Sequence, residues 1–184
     1  MNAITAEDSS VVGGLRRLPG AANVSAPRAR EAVRALVTVA DDGEAMTLAA
    51  RFAPAARLSS DALVKLWPAA ADPDAFAAPL LAPALHHEGV HSLRLRPMTS
   101  LTGLRHLTML SSLPLAQCKE VTDLTEVGAL TGLDHLSLES CPGVQDLTPL
   151  SALSRLTRLN LSWYRALTDV TPLLSLSRLV RLDI

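Results

Sequence analysis

Residues 133–138 read Leu133-Asp134-His135-Leu136-Ser137-Leu138, the pattern L-x-x-L-x-L. Its second half alternates apolar and polar positions, as a short strand does when one face meets a core. The same pattern stands at Leu110-Leu113-Leu115, Leu156-Leu159-Leu161 and Leu179-Leu182-Ile184, each copy 23 residues from the next. An earlier copy, Val90-Leu93-Leu95, lies 20 residues before Leu110-Leu113-Leu115. A step kept to the residue over several copies marks an internal repeat.

The rest of the unit repeats in register. Val121-x-Asp123-Leu124, Val144-x-Asp146-Leu147 and Leu167-x-Asp169-Val170 align. So do Leu124-Val127-Leu130, Leu147-Leu150-Leu153 and Val170-Leu173-Leu176. The first unit keeps Leu101-Leu104-Leu107 but lacks the Val-x-Asp segment, which accounts for its shorter length. A spacing close to three suits a 3-10 or short α-helical turn. Thr148-Pro149 and Thr171-Pro172 place a capping side chain before a residue pre-set for a helix start. One such unit cannot bury its own leucines, so neighbours must stack, with their strands in a parallel sheet.

In these motifs the chain, over about residues 90–184, resembles the leucine-rich-repeat family, in a bacterial 23-residue form. The stretch Asp146-Leu147-Thr148-Pro149-Leu150 is similar to the repeat tails of NACHT or STAND-type signalling NTPases of actinobacteria. The resemblance implies an α/β solenoid of about four units that binds a protein partner on its concave face. It also implies a place as the sensor tail of a larger bacterial signalling or defence protein. No G-x-x-x-x-G-K-[ST] phosphate loop occurs, so nucleotide-driven switching does not carry over.

Before the repeats the character is helical. Residues 1–25 show no sustained period and read as a disordered lead. Residues 26–87 read as a helical N-terminal cap, with 88–184 the repeats. Pro27 suits a first helical position, and Ala29, Ala32, Val33, Leu36, Val37 and Ala40 form one apolar stripe. A second helix is expected from Glu44 to Leu58 with a kink at Pro54, and a third, capped near Ser59-Ser60-Asp61, through Trp67. Asp72-Pro73 opens a last helical stretch that Pro79 and Pro83 should interrupt.

Composition narrows the function classes. The 184 residues are 48% hydrophobic but 3% aromatic, so the core is built from Leu, Ala and Val. A net charge of −1 offers no general attraction for nucleic acid or an anionic membrane. No apolar run is long enough to span a bilayer. Two cysteines and an N-terminus without signal-peptide features point to a reducing cytoplasm.

Three groups of residues could carry chemistry. His87-Glu88-Gly89-Val90-His91 matches H-E-x-x-H letter for letter. In zinc hydrolases that pattern works on a helix, which sets both histidines one turn apart with the glutamate beside the metal-bound water. Here Val90 takes the first apolar slot of a strand motif and His87 the last slot of a helical side. The pattern therefore straddles a corner; a small zinc hydrolase is the rival reading, and His86, His87 and His91 could at most hold an adventitious metal. Cys118 and Cys141 share one slot of successive repeats, where a disulfide is geometrically conceivable and a pair of small buried hydrophobes is the preferred expectation. Asp123, Asp146 and Asp169 form an acidic row whose position before each helical turn predicts capping rather than cation binding.

No catalytic residue and no cofactor are expected. The outward strand positions are the candidate partner-binding face: Arg94, Arg96, His135, Ser137, Glu139, Arg158, Asn160, Trp163, Arg181 and Asp183. Trp163 is the sharpest of these, because exposed Trp and Arg dominate interfaces. The closing residues Leu179–Ile184 stop inside a strand motif, so an open edge is expected there. That edge suggests a fragment of a longer chain, or association through the uncapped last repeat as a structural assembly unit.

Overall fold

The computed structural model describes residues 13, 24–39, 43–95, 97–163 and 169–184. Ala40, Arg96, Tyr164, Arg165, Leu167 and nearly all of the 1–25 lead fall outside those residues. The chain divides into two compact units, Met1–Glu88 and Gly89–Ile184.

The first unit is helical. Pro27 sits in the first turn of α1 (Ala26–Val37), whose buried side is Ala29, Ala32, Val33, Leu36 and Val37. It packs along α2 (Glu44–Ala56), which buries Ala45, Met46, Leu48, Ala49, Phe52 and Ala56. Gly43, at φ +89°, allows the turn that starts α2. Arg30 Nε donates to Ala56 O (2.8 Å), satisfying a carbonyl at the end of α2 that has no partner within the helix. Helix α3 (Ser60–Leu66) starts at Ser59, whose hydroxyl accepts Ala62 N–H. A 3-10 turn (Trp67–Ala69) follows, with the buried Trp67 indole donating to Pro73 O (3.2 Å).

The last helical stretch differs from expectation. Asp72 caps it by accepting the N–H groups of Asp74 and Ala75, both at 3.0 Å. From there α4 (Pro73–Phe76), a π-helical turn (Ala77–Leu81) and α5 (Ala82–His87) run on without a break. Pro79 and Pro83 do not interrupt the path. The wider π turn shifts the hydrogen-bond register where the prolines withhold their N–H groups. Phe76, Leu80, Leu81 and Leu85 stay buried throughout.

The second unit is built by the 23-residue step. Strands β1 (Ser112–Ala116), β2 (His135–Glu139), β3 (Arg158–Asn160) and β4 (Arg181–Asp183) form one parallel sheet in sequence order. Equivalent residues are partners: Leu113 meets Leu136, Leu136 meets Leu159, and Leu159 meets Leu182. The segment around Leu93 and Leu95 joins through single bridges, Ser92 to Ser112 and Leu95 to Leu115, rather than as a full strand. A backbone ladder runs along the strand starts, from Ser111 N to His91 O, Asp134 N to Ser111 O, Thr157 N to Asp134 O and Val180 N to Thr157 O, all 2.8 Å.

The returning side carries a 3-10 turn at Leu104–His106, helix α6 (Thr125–Gly128), and 3-10 turns at Thr148–Ala152 and Thr171–Ser175. Their apolar residues close the core: Leu104, Leu107, Val127, Leu130, Leu150 and Leu153 are fully buried against the strand leucines. Successive repeats touch closely enough to exclude a side chain at two points. A Cβ on Gly128 would stand 2.6 Å from Pro149 O, and one on Gly143 2.7 Å from Val121 O. The parallel sheet with 3-10 and α turns on its return side is an α/β solenoid of leucine-rich type.

Leu138 is fully buried in this stack. Leu138→Ala should cost about 2–5 kcal/mol by opening a cavity, and Gly143→Ala about 1–3 kcal/mol by overpacking. Both are read as a lower urea midpoint with an unchanged slope.

Candidate functional site

The strand register sorts the exposed face of the sheet into columns. One holds Ser112, His135, Arg158 and Arg181, with Ser92 bridged to Ser112. The next holds Pro114, Ser137, Asn160 and Asp183, and a third pairs Ala116 with Glu139. Arg94, Glu139, Arg158 and Arg181 are exposed, while His135, Ser137, Asn160 and Asp183 are half-buried. Alternation along the strands puts His135, Ser137, Glu139, Arg158, Asn160, Arg181 and Asp183 in these columns; Arg94 lies between the two isolated bridges, Trp163 lies past the end of β3, and Arg96 is outside the described residues.

Two of these residues do something the sequence did not announce. Asn160 turns its side-chain carbonyl to the chain itself, accepting Ser162 N–H at 2.8 Å, and so holds the turn after β3. Arg181 Nε donates to both carboxylate oxygens of Asp183, at 2.9 and 3.1 Å. Among the described residues, the side chains of His135 and Arg158 make no hydrogen bond or ion pair.

Past β1, β2 and β3 the backbone turns through the left-handed region in one shared slot: Gln117 at φ +60°, Ser140 at +57° and Trp163 at +73°. No glycine fills that slot, so no local signal pointed to it. For a bulky side chain the conformation is unfavourable and persists only where the surroundings impose it. At Gln117 and Ser140 the next repeat imposes it, through Gln117 N to Glu139 O (2.9 Å) and Ser140 N to Ser162 O (3.2 Å). Trp163 is 67% exposed.

Cys118 and Cys141 occupy the next slot, buried, as thiols rather than a disulfide. Each sulfur lies near the carbonyl two residues back, Ala116 O at 3.8 Å and Glu139 O at 3.6 Å. A hydrogen bond from the Cys141 thiol lowers the Cys118 thiol below its ordinary range, against the opposing effect of burial.

The acidic row caps turns. Asp123 Oδ1 accepts the hydroxyl and the N–H of Thr125, at 2.6 and 2.8 Å, and Asp169 does the same for Thr171. Asp146 accepts Thr148 N–H at 2.8 Å. The aspartates, not the threonine side chains, are therefore the caps of these turns. The threonine hydroxyl first, and then its N–H, lowers each carboxyl below the ordinary aspartate range.

The H-E-x-x-H stretch is divided. Helix α5 ends at His87, Gly89 adopts φ +65°, and His87 and Glu88 belong to the first compact unit while His91 belongs to the second. The Glu88 carboxylate is occupied at the start of α3, accepting Ser60 N–H at 3.0 Å and the Ser60 hydroxyl at 2.6 Å. His91 Nδ1 lies 3.0 Å from Met109 O. The zinc-hydrolase arrangement needs both histidines on one continuous helix with the glutamate free between them, and neither condition is met. Among the described residues, no three His, Cys, Asp or Glu side chains gather as a metal site, and no helix is long and apolar enough to cross a membrane.

The chain is similar in structure to two internalins of Listeria monocytogenes. One is 24% identical over 52% of this chain and 34% of its own length, with a TM-score of 0.39. Internalin C2 is 21% identical over 85% of this chain and 62% of its own length, with a TM-score of 0.46. This chain thus spans about a third and about three fifths of those two proteins. No family model matches the sequence, and no curated protein matches it.

The capping aspartates set a pH dependence. Their carboxyls are held low in the folded chain, so the stability they contribute is present above the ordinary carboxylate range. It is lost as pH falls through their lowered values. Melting temperature should fall as pH drops from about 5 toward 3. Asp146→Asn, which keeps an acceptor and removes the charge, should show a shallower fall over that range.

Proposed function

We propose that this chain is a non-enzymatic protein-binding module, with its partner seated on the concave face of the solenoid. Arg94, Arg96, His135, Ser137, Glu139, Arg158, Asn160, Trp163, Arg181 and Asp183 form the contact surface, with the helical unit as the N-terminal cap of the repeats. One observation carries the reading: Trp163, in the turn that follows β3, stands 67% exposed in a backbone conformation that disfavours it. An exposed tryptophan, and an arginine whose side chain has no partner among the described residues, are the residue types that dominate interface hot spots. The finer role, sensing within a larger bacterial signalling or defence protein, rests on the repeat style at residues 146–150 alone.

A pull-down from the native cell extract tests the reading. Trp163→Ala and Arg158→Ala should each weaken capture, by about tenfold or more for the tryptophan, with melting temperatures close to the parent chain. Equal melting losses for Trp163→Ala and Leu138→Ala would place Trp163 in the core instead.

A second reading has its own observation. Val180, Leu182 and Ile184 around β4 are 87%, 38% and 70% exposed, and among the described residues β4 pairs with β3 alone. Assembly of copies through that edge predicts a sedimentation coefficient that rises with concentration and reverts on Val180→Lys. A monomer at every concentration would remove it.

A further inference from the structure

We infer that the partner presents an acidic α-helix, read by the column His135–Arg158–Arg181; this rests on the reading of the exposed sheet face as the binding surface. The three residues are direct partners across β2, β3 and β4. Adjacent strands lie about 4.8 Å apart, so an imidazole and two guanidinium groups are stacked at consecutive rungs. Like charges directly opposite one another destabilise a sheet. Arg181 is compensated by Asp183 within β4. His135 and Arg158, by contrast, have no partner among the described residues.

The column is a local feature. The chain carries a net charge of −1, and the same column is uncharged at Ser92 and Ser112. In this column the basic side chains stand on the last three strands, while Arg94 is exposed on the first repeat. Two columns along, Glu139 is exposed, and Asp183 shares β4 with Arg181. A uniformly anionic polymer would meet these carboxylates too, so the face suits discrete negative charges set on one line rather than a phosphate backbone.

Spacing selects the shape of the partner. A strand laid across the rungs offers same-side residues about 6.8 Å apart and loses step after one rung. A helix offers neighbours at i, i+3 and i+4 about 5–6 Å apart, which stays close to step over three rungs. A helix about 10–12 Å across, lying on the Arg158 column, also covers the Ser137–Asn160 column beside it.

The full chain can be titrated against fluorescein-labelled alanine-based helical peptides of about 18 residues, roughly 27 Å long. One carries Glu along one face at i, i+4, i+7 and i+11; a second carries Gln at the same positions, and a third Lys. An oligothymidylate serves as the phosphate probe. The glutamate peptide should bind best, with affinity falling as salt rises. Arg158→Ala should weaken it about 3- to 5-fold, and Arg158→Glu by tenfold or more. Arg155→Ala, an exposed arginine ahead of β3, should leave it unchanged.

Equal affinity for the glutamate and glutamine peptides would overturn the inference. So would tighter binding of oligothymidylate that disappears in Arg158→Glu. Where extract capture still depends on Trp163 but the peptides do not discriminate, the acidic helix falls and the binding face stands. Where the glutamate peptide binds through Arg158 but capture ignores Trp163, the charge column stands and the wider contact surface is wrong.

Discussion

The second unit depends on one constraint: a 23-residue turn of this chain exposes every leucine it carries unless another turn lies against it. Leu136 is buried because Leu113 and Leu159 sit on the neighbouring strands, and each of those needs its own neighbour. The parallel ladder, the close approach at Gly128 and Gly143 and the aspartate-capped turns all serve that stacking. The same constraint explains why burial weakens at β4, where Leu182 has a strand on one side among the described residues.

The stack leaves its outward positions unconstrained. Core columns are nearly uniform, leucine upon leucine, because equivalent slots have equivalent surroundings. The exposed columns vary from rung to rung: Ser112, His135, Arg158, Arg181 in one, Pro114, Ser137, Asn160, Asp183 in the next. Packing accounts for the uniform columns and not for the varied ones. Asn160 and the Arg181–Asp183 pair have local structural roles, whereas the side chains of Arg158 and Trp163 make no hydrogen bond among the described residues.

Much of this was legible from spacing. The strands, the in-register leucines, the grouping of the face residues and the capping aspartates all follow from a period of 23 and alternation within it. Other features were not legible because their causes are not periodic. Pro79 and Pro83 pass inside a continuous helix because a π turn absorbs them, and no local composition marks such a turn. Gln117, Ser140 and Trp163 take left-handed backbone without a glycine to signal it, and pairing with the next repeat holds Gln117 and Ser140 there.

The letters His87-Glu88-Gly89-Val90-His91 show where the division falls. The repeat phase alone set Val90 at the beginning of a strand motif and His87 at the end of a helical side, because periodicity is a property of the chain. Only the folded chain engages Glu88 with Ser60, 28 residues earlier, and turns His91 to Met109. Contacts between residues far apart leave no trace in local spacing. The sequence by itself thus determined which leucines face inward and which side chains share a face. The tertiary structure decided which polar groups are already satisfied, because hydrogen bonds are settled by proximity in space.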